Sequence, residues 1–231
     1  MLLYPSSRNI TCLLTVWALS GLAAGAPVTV YDNATTNNTT GSYAPNGFWP
    51  FNAFAPNEPM GDQITLNNEA PEREIVQFDV VLSSSQPVNL LTVTLAFYEI
   101  DADTWFPGDQ LWATSAHNVA VDGITAVIFS VPSVVVPDSF IWVVGADSAL
   151  AGLATYDAPS IGSSADFYWD HDTLGGQWYP LRFDGSPIAN FGAKIVAVPE
   201  PGVIAILAVS GASMICKERV LRHRRAKPAN L

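Results

Sequence analysis

Cysteine, histidine and basic residues are scarce in this 231-residue chain, and their positions are informative. The two cysteines, Cys12 and Cys216, each lie in an apolar run near one end. The intervening stretch, residues 26–198, therefore has no disulfide and no thiol nucleophile. At about 170 residues it is long enough to be stabilised by a hydrophobic core alone. Only His117 and His171 fall within it, and its cations are Arg73, Arg182 and Lys194 against 19 acids. A formal charge of −16 on this stretch repels nucleic acid and anionic lipid, which excludes both as partners. The chain also lacks a Gly-x-Ser-x-Gly elbow, a His-Glu-x-x-His helix and a phosphate-cradling glycine loop. No enzymatic activity is expected. A paired-carboxylate glycoside hydrolase is the one chemistry that so many acids leave open.

Charge and hydropathy divide the chain into three parts. Arg8 precedes an apolar core from Ile10 to Leu22 and the small residues Ala23-Ala24-Gly25-Ala26, the layout of a secretory signal peptide over 1–25. At the other end, Val198-Pro199-Glu200-Pro201 precedes an apolar run from Val203 to Cys216 and the basic residues Lys217, Arg219, Arg222, Arg224 and Arg225. The prolines flanking Glu200 predict an extended, protease-accessible stretch. The run 203–216 predicts a helix of roughly 21 Å, short of the roughly 30 Å hydrocarbon core unless Lys217 and Arg219 snorkel. The basic tail 217–231 predicts a cytoplasmic end, with the preceding domain across the membrane. Such a marginal span suits a transient inner-membrane anchor; a permanent single-pass helix is the alternative.

This tripartite tail over 199–231 resembles the PEP-CTERM sorting signal read by exosortases in Gram-negative bacteria that secrete exopolysaccharide. The resemblance implies export, signal-peptidase processing, cleavage at the Val198–Pro201 motif by an exosortase-like protease, and delivery to the outer envelope or extracellular matrix. Gly202 stands where Ser or Thr is common, and Glu218 interrupts the basic cluster. Short blocks such as Gly61-Asp62-Gln63-Ile64 and Pro107-Gly108-Asp109-Gln110-Leu111-Trp112 are similar to secreted β domains with this tail, which have no assigned activity.

Residues 26–198 read as one all-β domain. Leu91, Val93, Leu95 and Phe97 alternate with Thr92, Thr94, Ala96 and Tyr98, the period of a half-buried strand. Similar runs occur at 28–31, 74–82, 110–121, 124–131, 140–145, 151–156, 178–183 and 191–198, with turn signals at 83–87, 107–109, 122–123, 137–139, 175–176 and 184–187. About nine strands at this spacing predict an antiparallel two-sheet β-sandwich of jelly-roll type.

Three sets of residues are candidates for binding. Glu99, Asp101 and Asp103 share a face if the 91–98 strand continues, an oxygen cluster suited to Ca²⁺; a solvated turn is the other reading. Asp166, Asp170, His171 and Asp172 around Trp169 are either a second cation site, with His171 as a nitrogen ligand, or an exposed loop. Trp49, Trp105 and Trp169 fall in expected loops. They either form an aromatic platform for polysaccharide, beside the acidic loops, or turn inward as satellite clusters.

Overall fold

The computed structural model describes residues 26–34, 47–51, 58–68, 73–156, 158–172, 175–182 and 190–198, with the backbone alone at 47–49. The expected signal peptide 1–25, the motif residues Pro199, Glu200 and Pro201, the expected helix 203–216 and the basic residues Lys217 to Arg225 lie outside the described residues. Residues 27–198 form one compact unit. It is all-β, with no helix among the described residues.

Thirteen strands are described. They are β1 (Val28–Asp32), β2 (Gly47–Pro50), β3 (Met60–Thr65), β4 (Glu74–Ser84), β5 (Val88–Ile100), β6 (Pro107–Val121) and β7 (Ile124–Val135), then β8 (Ser139–Ala146), β9 (Ala151–Tyr156), β10 (Ser163–Asp172), β11 (Gln177–Leu181), β12 (Asn190–Phe191) and β13 (Ala193–Val198). They build two antiparallel sheets. The second runs β11-β10-β3-β8-β5-β6. In the first, β4 is the organising strand: β7 pairs along one edge, while β13 and then β9 share the other. β1 closes this sheet beyond β13, and β2 pairs outside β9.

The expected strands recur with small shifts, and three differences have local causes. The 191–198 run is split at Gly192, where the chain passes from its β9 partner to its β4 partner. A Cβ there would lie 2.5 Å from the Tyr156 ring and 2.9 Å from Val81, so only glycine fits the crossing. The turn expected at 107–109 is the start of β6 instead. β3 and β10 gave no strand signal because their sequences, MGDQIT and SSADFYWDHD, carry acids and glycine, yet both are interior strands of the second sheet.

The period of two in β5 sends Leu91, Val93, Leu95 and Phe97 inward. They meet the inward residues of β4 and β8 in a core rich in rings. Phe78 of β4 crosses to the second sheet, 5.3 Å from Phe97 and 5.4 Å from Trp142 between centroids. Phe191 reaches Trp142 at 6.4 Å and Tyr168 at 5.5 Å. These rings join the two faces into a sandwich-like packing, and Phe78 is fully buried among them. Phe78→Ala is therefore expected to cost about 3–5 kcal/mol in denaturant unfolding, the range for a truncated core phenylalanine.

Candidate functional site

The outward face of the second sheet has an unusual composition for an acidic protein. Alternation turns Thr94, Ala96 and Tyr98 of β5 outward, and the ladder sets them beside Gly145, Val143 and Ile141 of β8. Further along the sheet, Gly61 of β3 pairs with Trp169 of β10, and His171 pairs with Trp178 of β11. The Trp178 ring lies 4.6 Å from the His171 ring and 5.8 Å from that of Tyr98. Three strands separate β11 from β5 in the sheet order. Trp178 and Tyr98 therefore lean toward one another over the small outward residues between them. Ile141, Val143 and Trp169 form a second apolar cluster beneath these rings, with Phe167 packed on it.

A groove of about 470 Å³ opens beside this arch. Tyr98, Trp178 and His171 supply its aromatic lining, Ala96 and Val143 its apolar lining, and Gln110, Thr94 and Ser115 hydrogen-bonding groups. The Tyr98 hydroxyl donates to Gln110 Oε1 at 3.3 Å, which orients the amide. None of the residues lining the groove is an acid, a lysine or an arginine. Half-burial raises the Tyr98 phenol, so it stays protonated and keeps its bond to Gln110.

The residues singled out in the sequence are distributed differently from expectation. Trp169 is not on a loop: it sits within β10, is 2 % exposed, and is covered by Phe106 at 5.3 Å and Phe167 at 5.4 Å between centroids. It is a satellite-cluster residue and offers no open platform. Trp105 is on a turn and 70 % exposed, with φ of 65°. The Trp49 side chain lies outside the described residues.

The acidic candidates also need correction. β5 ends at Ile100, so Glu99, Asp101 and Asp103 do not continue one strand face. Asp101 Oδ1 instead accepts bonds from the Asp103 and Thr104 amides, at 3.1 and 2.7 Å, and from the Thr104 hydroxyl at 2.7 Å. The Thr104 and Asp103 bonds hold its carboxyl below the usual range, and the turn they close carries Trp105. Asp170 and Asp172 belong to β10 rather than to a loop, and Asp170 is buried. Among the described residues no three His, Cys, Asp or Glu side chains converge as a metal site.

Two carboxyls carry buried-acid chemistry of a structural kind. Asp62, in β3 and fully buried, accepts the Ser164 hydroxyl at 2.8–2.9 Å and the backbone amides of Phe191 and Gln63. Burial outweighs those bonds and raises its pKa well above the usual carboxylate range. Asp170 is pushed up to about 6, first by burial and then by Glu58 and Asp172. Sequence alternation could not find either, because both acids occupy positions that an apolar pattern would fill. No protein-family model, curated protein or solved structure matches this chain.

The Asp170 shift fixes a pH dependence. An unfolded aspartate titrates near about 3.9, so between that pH and about 6 the folded state retains a proton that the unfolded state has lost. The stabilisation from this group is complete below about pH 4 and is lost as pH rises through about 6. Asp170→Asn removes the loss. In thermal melts the variant should match the parent near pH 4 and exceed it at pH 7 by about 1 kcal/mol, after allowance for solvent screening.

Proposed function

We propose that this chain is an exported, non-enzymatic protein of the cell envelope or extracellular matrix, sorted through its C-terminal signal. Its β domain is a jelly roll. The framework strands β1, β3, β4, β5, β6, β7, β8 and β13 divide between the sheets as β1-β13-β4-β7 against β3-β8-β5-β6, the double Greek-key order of that fold.

The observation that carries this reading is the position of the two processing junctions relative to the sheet. β1 begins at Val28, just after the signal-peptide segment, and β13 ends at Val198, just before Pro199-Glu200-Pro201. Cleavage at either junction removes no strand. Val28 and Ala197 are also direct partners in the β1–β13 ladder, so both junctions leave the domain at one place. The −16 charge keeps the domain soluble and off anionic lipid once released.

Intact-mass analysis of the protein recovered from its native envelope tests the route. The mature chain should end near Glu200, and Glu200→Ala should accumulate as an uncleaved precursor in the inner membrane. An envelope form retaining Leu231 would overturn the sorting assignment.

A further inference from the structure

We propose that the groove on the outward face of the second sheet binds a neutral oligosaccharide, with Trp178 and Tyr98 as the stacking surfaces. The proposal goes beyond sorting and is independent of it, because a chain never cut at Glu200 would still carry the groove.

Three features select this ligand class. The first is charge. The domain carries 19 acids and three basic side chains, yet the groove is lined by neither. An anionic ligand would meet the field of the domain without a cation in the groove to offset it, and a cationic ligand would find no carboxylate there to pair with. A neutral ligand incurs neither cost.

The second is the mixture of surfaces. Trp178, Tyr98 and His171 present flat apolar and π-rich faces, while Gln110, Thr94 and Ser115 offer amide and hydroxyl groups at exposed strand positions. A sugar ring has this same division, with C–H faces and a rim of hydroxyls. Thr94 Oγ1 donates to the Gly145 carbonyl and Gln110 Oε1 accepts from Tyr98, so the groups facing a ligand are the Gln110 amide nitrogen and the Ser115 hydroxyl. A purely apolar ligand would strip these of water without replacing it, at a cost of about 1–3 kcal/mol for each unmatched group.

The third is size and construction. At about 470 Å³ the groove falls within the roughly 300–1,000 Å³ of small-ligand clefts. Its rings are set by cross-strand contacts on a rigid sheet: Trp178 is held between His171 and Tyr98, and Tyr98 is tied to Gln110. Little side-chain ordering remains to be done on binding.

The test is a fluorescence and calorimetric titration of the full-length chain in a detergent without a sugar headgroup. The probes are neutral hexasaccharides of glucose, mannose, galactose and N-acetylglucosamine, and an anionic hexagalacturonate. Saturable binding of at least one neutral probe is expected, with hexagalacturonate much weaker. Trp178→Ala should weaken it by at least about tenfold, as for a central aromatic contact. Trp178 also packs against its neighbours, so Ser115→Glu provides a second variant at an exposed strand position: it puts a carboxylate into the groove and should weaken binding comparably. Ile128→Ala, at an exposed position on β7 of the other sheet, should have no effect. Failure of every neutral probe to bind, preference for hexagalacturonate, or binding undiminished in both groove variants would overturn the proposal.

Discussion

The architecture depends on the contact that Phe78 makes across the interior. With no disulfide in the 27–198 unit, the two sheets are joined by side chains alone, and the aromatic group around Phe78, Phe97 and Trp142 spans the gap between them. β4, which carries Phe78, also pairs with β7, β13 and β9. One strand therefore supplies both the lateral order of the first sheet and its attachment to the second. Burying large rings is an efficient way to hold a cysteine-free domain, because each contributes more area than any aliphatic side chain.

Filling the interior with rings on β5, β8 and β10 also determines what remains outside. Strand alternation places Tyr98 next to Phe97, and Trp169 and His171 either side of inward Asp170, on the opposite face. Small outward residues complete the pattern. Gly61 has no room for a Cβ, which would lie 1.9 Å from the Trp142 carbonyl oxygen, and at Gly145 a Cβ would meet Thr94 Oγ1 at 2.9 Å. These positions keep the outer face low where Trp178 and Tyr98 lean over it. The groove is thus a product of the same pleat that builds the core, and its freedom from charge is a local exception within a strongly acidic surface.

Much of the framework was legible in the sequence. The β5 alternation and the run at 124–131 correspond to strands that bury one face, while the continuous apolar runs at 140–145 and 151–156 correspond to strands buried on both, and 74–82 falls in the central strand β4. β3 and β10 were hidden because buried Asp62 and Asp170 break the pattern, and their burial is tolerated through Ser164, backbone amides and raised pKa values that no spacing reveals. The candidate site was less legible. Trp105 and Trp169 fall in stretches that read as loops, but Trp169 lies within β10 and is covered. In the sequence, Tyr98 and Trp178 read only as strand residues. What brings them together is the path of the second sheet, a long-range property that local sequence does not encode.

The most direct test of the account is where a bound sugar sits. Amide chemical-shift mapping of the labelled protein with the tightest-binding neutral hexasaccharide should perturb the outward residues of β5, β6 and β11, centred on Tyr98, Gln110 and Trp178, and leave β1, β7 and β13 unchanged. Perturbations centred on the first sheet, or confined to the turn carrying Trp105, would contradict the assignment of the second sheet's outer face as the binding surface.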